Sequence, residues 1–372
     1  MQQQGYLFIA DISGYTAFLT GSELDHAQDI MKSLIENVLD NMPPPVVVSK
    51  LEGDAVFAYT PEKSFLLAQS LLELVENIYA GFRRFQRQMH LNTTCTCNAC
   101  RNIPNLDLKF MLHYGTFLLQ SIGGREELSG PDVILIHRLM KNAVVETTGI
   151  KAYALLTTTA ADAMQLGEIT AAMRPHSETY EHLGEVPGYI HDLHVVWEER
   201  QQQERVVVEG EAVDFSIEYD LPVPPILAWD YLNEDESRKR YTESSRSMTT
   251  ERKQGRAAVG TTFHCYHGKD DTQLLVLDWQ PFDYLTCKVF VGGMPTRVEM
   301  RYTVKLLPTE SGTRVIETYT KPVCYGLIGK IIEFVVWPLM AKKMIYHATL
   351  RGAEIMQQDI TNDLSAGKIT AL

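Results

Sequence analysis

The sequence lacks several features that would assign it to a class at once. Basic residues are in the minority, since 34 lysines and arginines stand against 47 aspartates and glutamates, a net charge of −13. This balance disfavours non-specific binding to nucleic acid or to anionic lipid. The chain has no run of about 20 uncharged apolar residues to span a bilayer and no signal-peptide pattern at its start. We therefore expect a soluble, cytoplasmic protein with no transmembrane segment and no nucleic-acid partner.

Cysteine is also scarce, with 6 residues in a chain of 372. Three of them, Cys95, Cys97 and Cys100, lie close together, and the others are scattered. The cluster lacks the paired CxxC framework of common zinc modules, but three thiolates and one imidazole would complete a tetrahedral zinc site. His90 is the nearest candidate for the fourth ligand. The alternatives to a structural zinc ion are a redox or disulfide pair and reduced bystander thiols.

The chain does contain enough residues for two domains. Its hydrophobic content of 45% and charged content of 22% are typical of globular proteins. Before Glu204 there are 14 basic and 24 acidic residues, a net of −10, and from Glu204 onward 20 basic and 23 acidic residues, a net of −3. The acidity therefore lies mainly in the first half, where a cation site would also be.

The first half has the pattern of an α+β domain. Apolar periodicity predicts a strand over 6–12, a helix over 16–41, a hairpin with Gly53 and Asp54 at its tip, a helix over 63–90, a second hairpin around Gly115, a helix over 133–145 and a strand over 152–157. Hairpins between helices favour a ferredoxin-like sandwich over a doubly wound sheet. We predict a first domain over 1–195 and a polar linker over 196–206.

The second half has a different pattern, with a short helix opened by Pro224-Pro225, several strands and one long apolar helix over about 327–357. Short strands are also expected at 206–208 and 215–219. The other predicted strands are 260–267, 273–278, 284–291, 296–307 and 313–320. A curved sheet closed by a long helix would leave a cavity for a hydrophobic ligand. We predict a domain over 207–358, a tail over 359–372, and packing of the apolar helix over the sheet in preference to contact with a membrane.

Two aspartates are the strongest candidates for chemistry. Asp11 follows one strand-like run and Asp54 another, each beside a glycine-containing turn. Brought side by side, two carboxylates form a hard, oxygen-lined site suited to Mg²⁺ or Mn²⁺. The alternative is that both are ordinary turn or cap residues, which aspartate also favours.

Three motifs in the first half resemble those of class III nucleotidyl cyclases. The run Asp11-Ile12-Ser13-Gly14-Tyr15-Thr16 is similar to the family's D-I-x-G-F-T, and Lys50-Leu51-Glu52-Gly53-Asp54 to its K-x-x-G-D. The block over 127–139 resembles D-x-x-G-x-x-V-N-x-A-x-R-L. Order and separation agree across about residues 5–195, so the resemblance implies a cyclase-type βαβ sandwich.

The resemblance also implies roles for individual residues. Asp11 and Asp54 would hold two Mg²⁺ or Mn²⁺ ions that neutralise a nucleoside triphosphate, ATP or GTP, and activate its ribose 3′-hydroxyl. The turn and helix start at Gly14 and Thr16 would face phosphate oxygens.

Three further residues fall at functional positions of the family. Lys50 and Glu127 lie where family members read the purine, and Arg138 where an arginine stabilises the transition state. Surface salt bridges or solvated loop charges are the alternatives for all three. Since Lys50 with Glu127 is not the usual Lys/Asp pair, the choice between ATP and GTP stays open.

One departure from the family pattern bears on catalysis. The transition-state asparagine should lie four residues before Arg138, and this chain has Ile134 there. Isoleucine offers no hydrogen bond, and losing one such contact costs roughly 10²–10³-fold in rate. The expectation is a metal-dependent nucleotide-binding protein with low or no cyclase turnover. An active adenylate or guanylate cyclase and a non-catalytic ligand-binding or dimerisation protein are the alternatives.

The family's site forms between two such domains, so one copy per chain implies a homodimer. The second half resembles the START-like, helix-grip superfamily, which includes polyketide-cyclase-type and lipid-binding proteins. This likeness implies a hydrophobic small molecule or lipid as ligand and a signalling role in which one domain senses it. The features that carry it are 225–229, the Gly260-containing strand, 278–282, 312–314 and the apolar C-terminal helix.

Overall fold

The computed structural model describes residues 2–370, except for the side chain of Arg125. The chain divides into two compact units. The first comprises the residues up to Ser64 together with Leu71–Gln203, and the second comprises Phe65–Ser70 together with the residues from Glu204 onward. No helix within 2–370 is long and apolar enough to cross a membrane.

Eight strands form the mixed sheet of the first unit. They are β1 (Gln2–Ser13), β2 (Val47–Glu52), β3 (Ala55–Pro61), β4 (Asp107–Ile122), β5 (Arg125–Ser129), β6 (Tyr153–Thr157), β7 (Arg174–Tyr180) and β8 (Gly184–Asp192). Their order is β2-β3-β1-β4-β6-β8-β7, with β5 paired to β4. The pairing of β4 with β6 is parallel and the other pairings are antiparallel.

Helices in the first unit alternate with these strands. They are α1 (Tyr15–Thr20), α2 (Leu24–Asp40), α3 (Ser70–Asn92), α4 (Asn98–Asn102), α5 (Pro131–Leu139), α6 (Val144–Thr148), α7 (Thr158–Ala163) and α8 (Leu193–Gln202). The predicted helix over 16–41 is therefore broken at Gly21-Ser22, two residues of lower helix propensity than the alanine and leucine around them. The polar stretch predicted as a linker is helical as far as Gln202.

Strand β1 lies at the centre of this sheet. Leu7, Ile9 and Ile12 are buried, as expected for a strand with neighbours on both edges. Asp11 faces Ala55 of β3 on one side and Lys109 of β4 on the other. The central position of β1 thus carries Asp11 to the end of the sheet where the β2–β3 turn lies.

The predicted hairpin around Gly115 is wrong. Strand β4 runs through this residue without a break, and the turn lies at Gly123-Gly124, where both glycines have positive φ. Gly115 has another role, because a Cβ there would lie 2.4 Å from the Asp132 carboxylate. That carboxylate accepts a hydrogen bond from the Thr116 N–H at 2.7 Å. Close packing, and not a turn, requires the glycine.

The second unit is an antiparallel sheet with two helices between its first two strands and further helices after its last strand. Its strands are β9 (Phe215–Leu221), β10 (Arg246–Thr250), β11 (Thr262–His267), β12 (Asp270–Gln280), β13 (Tyr284–Phe290), β14 (Val298–Thr309), β15 (Gly312–Tyr319) and β16 (Val323–Cys324). They run in the order β10-β11-β12-β13-β14-β15-β9, with β16 paired to β14. The two large sheets confirm the α+β class, whereas the START-like assignment stays a prediction.

The helices of the second unit are α9 (Pro225–Asn233), α10 (Asp235–Tyr241), α11 (Gly326–Ile331), a π-helical segment (Ile332–Ala341) and α12 (Lys342–Ser365). The predicted strand at 206–208 is wrong, and α10 and β10 were not expected. The C-terminal helix continues to Ser365, so the first half of the predicted tail is helical.

Residues 65–69 are not part of the helix that periodicity predicts from residue 63. The buried Asp230 carboxylate accepts hydrogen bonds from the N–H groups of Leu66 at 2.7 Å and Leu67 at 3.2 Å. It also accepts one from the Ser70 hydroxyl at 2.5 Å. These bonds hold the segment in a non-helical conformation, and α3 begins only at Ser70.

Packing of the apolar C-terminal helix over the sheet is only partly correct. Ile332 and Trp337 are buried, and the Trp337 indole donates to Asp214 at 3.0 Å. Many neighbouring apolar side chains are exposed, and Leu327 reaches 90%. We call these residues the apolar helical surface: Leu327, Ile328, Ile331, Phe334, Leu339, Met340 and Met344.

Candidate functional site

A tight hairpin brings Asp54 next to Asp11. Glu52 pairs directly with Ala55, so Gly53 and Asp54 alone form the turn between β2 and β3, as the sequence predicts. The Ile12 N–H donates to the Asp54 carbonyl at 3.2 Å, and Asp11 lies opposite Ala55. The two aspartates therefore lie at the same end of neighbouring strands.

The negative charge of Asp11 acts on the neighbouring Asp54 carboxylate. Partial burial, followed by the charge of Asp11, raises the pKa of Asp54 above its ordinary value. Asp11 is only 8% exposed and forms an ion pair with Lys109, in which the Lys109 Nζ lies 3.1 Å from the Asp11 Oδ2. Sequence reasoning missed Lys109, although a single lysine within the apolar run 106–112 is a detectable signal.

The residues present fit a hard divalent cation. Two carboxylates supply the oxygen ligands that Mg²⁺ and Mn²⁺ prefer, and a cation between them would offset the burial and the Asp11 charge that together raise the pKa of Asp54. Lys109 compensates one of the two charges and leaves the pair net negative. Chemically, such a site can bind phosphate oxygens through a metal ion.

Lys50 and Glu127 also come together. The Lys50 Nζ lies 3.8 Å from a Glu127 carboxylate oxygen and 3.0 Å from one of Glu52. His137, interpreted as an ordinary residue from the sequence, contacts the same Glu52 oxygen through Nε2 at 3.0 Å. A cavity of about 370 Å³ lies beside Lys50 and Glu127. Burial raises the pKa of Glu52, and the Lys50 and His137 contacts outweigh this and lower it overall.

The remaining resemblance-based residues lie on the surface. Arg138 is exposed on α5, and Ile134 on the same helix is 57% exposed. Gly14 caps α1 with a φ of 87°, in the left-handed region that glycine tolerates, and Thr16 is exposed. Within residues 2–370, none of these four residues forms a side-chain hydrogen bond or an ion pair with Asp11 or Asp54.

A basic cavity adjoins the turn after β1. It has a volume of about 620 Å³, and Ser13 and Gly14 form part of its wall. The cationic side chains of Arg83, Lys109 and Lys151 line it. His194 lines it as well and contacts the buried Asp107 carboxylate through Nε2 at 2.6 Å. Three permanent cations around one concave surface can attract a polyanion such as a phosphate chain.

The cysteine cluster has a different fourth partner from the one predicted. His26 of α2 contacts all three thiols, with Nδ1 lying 3.3 Å from Cys97 Sγ, 3.6 Å from Cys95 Sγ and 3.9 Å from Cys100 Sγ. The four candidate ligand atoms lie within 4.8 Å of one another. His90 is not in this group. The prediction failed because His26 lies far from the cysteines along the chain, and only packing of α2 against α4 brings them together.

All six cysteines are free thiols. Burial raises the pKa of Cys100, whereas the backbone N–H of Cys97 lowers the pKa of Cys95. Thiolates are the form in which cysteine binds metals. The geometry therefore suits metal coordination, while no disulfide is formed in the described chain.

The second unit contains a cavity of about 310 Å³. Its wall is mainly apolar and includes Trp229, Met300 and Tyr302, and Arg238 and Glu317 are the charged-type residues buried in it. A ligand cavity in this unit was expected, but neither Arg238 nor Glu317 was singled out. Arg238 stands in a polar run on α10, a helix that the sequence reasoning did not predict.

The fold and site thus define a two-unit α+β protein with a carboxylate pair in its first unit. The chain is 30% identical over 165 residues to the uncharacterized protein Rv2561/Rv2562 of Mycobacterium tuberculosis, a match covering 44% of this chain and 73% of that protein. It belongs to the family of that mycobacterial protein. A family model described as "Protein of unknown function (DUF2652)" matches residues 31–148.

Solved structures of nucleotide cyclases are similar at a lower level. The guanylyl cyclase Cya2 has a TM-score of 0.40 at 13% identity, with 51% of this chain and 92% of that chain covered. The adenylyl cyclase CyaB from P. aeruginosa has a TM-score of 0.37 at 13% identity, with 51% and 94% covered. Likenesses at these TM-scores do not assign a fold, so the cyclase-type architecture rests on the sequence motifs.

Proposed function

We propose that the first unit binds a nucleoside triphosphate together with Mg²⁺ or Mn²⁺ held by Asp11 and Asp54. The observation that carries this proposal is the two-residue turn that puts Asp54 beside Asp11 at the end of adjacent strands. The basic cavity beside Gly14 supports it, because a triphosphate needs cations around its oxygens. The contact between Lys50 and Glu127 beside a cavity supports a base-binding role for both.

Turnover as a cyclase is low or absent in this proposal. Ile134 supplies no hydrogen bond at the position where the cyclase motif has asparagine, and it is exposed beside Arg138 on α5. A protein that binds metal and nucleotide but lacks the transition-state donor would hold the nucleotide and convert it only slowly to product. An active adenylate or guanylate cyclase is the second candidate.

A homodimer completes the site in this proposal. Asp11 and Asp54 of one protomer would face Lys50, Glu127 and Arg138 of a second copy, and the exposure of Arg138 within one chain is compatible with that role. Light scattering should then give twice the 42.1 kDa mass of the chain. A monomeric mass at the concentrations used for nucleotide binding would contradict the shared site.

Isothermal titration with ATP and GTP, each with Mg²⁺ or Mn²⁺, tests the nucleotide site. Asp54→Ala should abolish metal-dependent binding, because the pair loses half its oxygen ligands. Asp40→Ala is the matched control, since Asp40 is an exposed carboxylate at the end of α2. If wild type binds neither nucleotide with either metal, the proposal is wrong.

Two further outcomes separate the alternatives. Cyclic nucleotide formation that disappears in Asp54→Ala would identify an active cyclase. Metal-nucleotide affinity that is unchanged in Asp11→Ala would remove the assigned metal role and favour a non-catalytic dimerisation or scaffold protein.

The second unit, in the same proposal, binds a hydrophobic small molecule or lipid, and the protein couples that ligand to nucleotide binding. The largely apolar cavity of about 310 Å³ supports the ligand role. Apolar probe molecules should bind the full-length chain and change its affinity for nucleotide. Independence of the two affinities would leave binding intact and overturn the coupling.

A zinc ion held by His26, Cys95, Cys97 and Cys100 is the third part of the proposal. Zn–S and Zn–N distances of about 2.3 and 2.0 Å in a tetrahedron place neighbouring ligand atoms roughly 3.5–3.8 Å apart. The observed separations of 3.3, 3.6 and 3.9 Å from His26 Nδ1 to the three sulfurs bracket this range, which supports the assignment. Four protein ligands close the coordination sphere, so the role is structural and not catalytic.

Elemental analysis of purified protein tests the zinc site. Wild type should carry one zinc per chain, and His26→Ala should lose most of it. His90→Ala is the matched control, because His90 lies outside the ligand group and should leave zinc content unchanged. Loss of zinc in His90→Ala but not in His26→Ala would reverse the assignment.

A further inference from the structure

The cavity of the second unit contains a cation without an anionic partner. Arg238 lies in its wall and is 3% exposed. One terminal nitrogen, Nη2, donates to the Leu232 carbonyl at 2.7 Å and to the Asn233 side-chain oxygen at 3.2 Å. Its Nε–H has no hydrogen-bond partner among the described residues. Both acceptors are neutral, so the guanidinium charge is not compensated by them.

The acidic residue of the same wall, Glu317, forms no ion pair with Arg238 among the described residues. Glu317 accepts hydrogen bonds from the hydroxyls of Tyr219, at 2.8 Å, and of Tyr319. Burial raises the pKa of Glu317, which favours its neutral form. Arginine, in contrast, keeps its proton in proteins. Within residues 2–370, Arg238 forms no ion pair, and its guanidinium lies over the Phe263 ring at 4.1 Å.

A second orphan donor lies in the same cavity wall. Trp229 is fully buried, and its indole Nε1–H has no hydrogen-bond partner among the described residues. Buried donors are normally paired, because an unpaired one loses its hydration without compensation. Two unpaired donors, one of them cationic, in a mainly apolar cavity therefore call for an acceptor that the described residues do not provide.

We propose that the cavity binds a compact apolar molecule bearing one carboxylate, which Arg238 neutralises and for which Trp229 supplies a further donor. This inference rests on the proposed ligand-binding role of the second unit and names its ligand class. The volume of about 310 Å³ is at the small end of ligand cavities, about 300–1,000 Å³, which favours a medium-chain fatty acid or a small aromatic acid.

Calorimetric titration of the full-length chain with decanoate, 1-decanol and decylamine tests the proposal. These probes share an alkyl chain and differ in the polar end. Decanoate should bind about 10- to 100-fold more tightly than decanol, the range expected for hydrogen bonds to a charged group, and decylamine should bind weakest. Equal affinity for acid and alcohol, or preference for the amine, would overturn the carboxylate assignment while leaving a hydrophobic ligand site. Failure of all three probes to bind would overturn both.

Substitutions of Arg238 test whether the preference for decanoate depends on this residue. Arg238→Met should remove the preference for decanoate and keep decanol binding, and Arg238→Lys should retain part of it. Arg240→Met is the matched control, since Arg240 lies on the same helix but pairs with Asp359 outside the cavity wall. A preference that survives in a folded Arg238→Met protein would overturn the role of Arg238. If that variant does not fold, the comparison of the three probes on wild type still decides the proposal.

A second inference comes from the apolar helical surface. Each of its seven side chains is more than half exposed, and they occupy one stretch from Leu327 to Met344. The segment 321–343 contains four lysines and one glutamate, a net charge of +3 that the ion pair of Lys342 with Asp214 reduces to +2, in a chain of −13. Exposed apolar side chains flanked by lysines are the pattern of helices that lie in a membrane interface.

We propose that this surface docks onto an anionic lipid bilayer without spanning it. Cosedimentation with phosphatidylcholine vesicles, with and without phosphatidylglycerol, should show binding that requires the anionic lipid and falls with salt. Leu327→Asp/Phe334→Asp should abolish it, and Ile122→Asp, an exposed apolar residue of β4, is the control. Absence of vesicle binding, or concentration-dependent self-association that the double variant abolishes, would overturn the proposal, and the latter result would identify a second copy as the partner.

Discussion

In the first unit the charged side chains of the candidate site lie at strand ends and turns, whereas in the second unit the polar groups of the cavity are buried among aromatic rings. Lys50, Glu52 and Glu127 are all partly exposed, and Lys50 pairs with both carboxylates. Arg238 and Trp229 are buried and leave donors unpaired. A partly exposed charge costs little without its ligand because water solvates it, while a buried one creates a strong demand for a specific partner. The difference suggests metal-controlled binding in one unit and selection by a buried cation in the other.

The largest expected effect comes from removing one buried aromatic ring, that of Trp229, from the second unit. Trp229→Ala should destabilise that unit by about 3–5 kcal/mol, since it leaves a large cavity where a fully buried ring contacts Trp279 at 4.7 Å. Denaturant unfolding followed by circular dichroism measures the effect. Trp229→Phe, which keeps most of the ring, is the control and should cost less. Equal losses in both variants would show that ring volume does not determine stability here.

A smaller loss is expected in the first unit from Gly115→Ala. The added methyl group would meet the Asp132 carboxylate at 2.4 Å, so the hydrogen bond from Thr116 N–H would be displaced, at a cost of about 1–3 kcal/mol. A double-mutant cycle with Asp132→Ala measures the coupling. Additive losses would contradict the assigned clash.

A charge change at the carboxylate pair should alter metal affinity without altering the fold. Lys109→Met removes the cation that lies 3.1 Å from Asp11 and leaves two uncompensated carboxylates. Mn²⁺ affinity in the absence of nucleotide, measured by electron paramagnetic resonance, should rise about tenfold. Lys151→Met, which removes a cation of the basic cavity, is the control and should change Mn²⁺ affinity less. Weaker Mn²⁺ binding in Lys109→Met would show that Lys109 supports the metal site.

The smallest expected effect is a titration in the first unit. The hydrogen bond to Asp107 raises the pKa of His194, and the charge of Asp192 acts in the same direction, whereas burial and Arg83 oppose it. Because the folded-state pKa exceeds the unfolded value of about 6.5, the stabilising contribution is present below that value and is lost as pH rises through the folded pKa. Nuclear magnetic resonance should show Asp107→Asn lowering the His194 pKa. An unchanged pKa would exclude Asp107 as the cause.

Prediction from the sequence worked best where local pattern and local structure coincide. The Gly53-Asp54 turn was predicted because a tight hairpin leaves a short glycine-containing signature, and most strands of the second unit were predicted from alternation and bounding turns. Gly115 was misread because the same residue type serves a turn and a close approach. Helix α10 was missed because its largely polar sequence has no apolar period.

The residues of the candidate sites were also predictable only where they belong to a short local motif. Asp11, Asp54 and the three clustered cysteines could be proposed from motifs, since ligand types recur at short spacing along one segment. His26, Lys109 and Arg238 could not, because each acquires its role from a partner on another element. Their contacts cross helices or strands that only packing brings together.

By itself, the sequence determined the α+β class, the turn that delivers Asp54, and the residue types available for metal binding, because these follow from periodicity, turn chemistry and ligand chemistry within short segments. Tertiary structure alone decided that His26 and not His90 faces the cysteines. It also decided that Lys109 forms an ion pair with Asp11, and that Arg238 lies in the wall of the second cavity without an ion pair among the described residues. The physical reason is that strand register and helix packing, which set these long-range contacts, are determined by the whole core and not by any one segment.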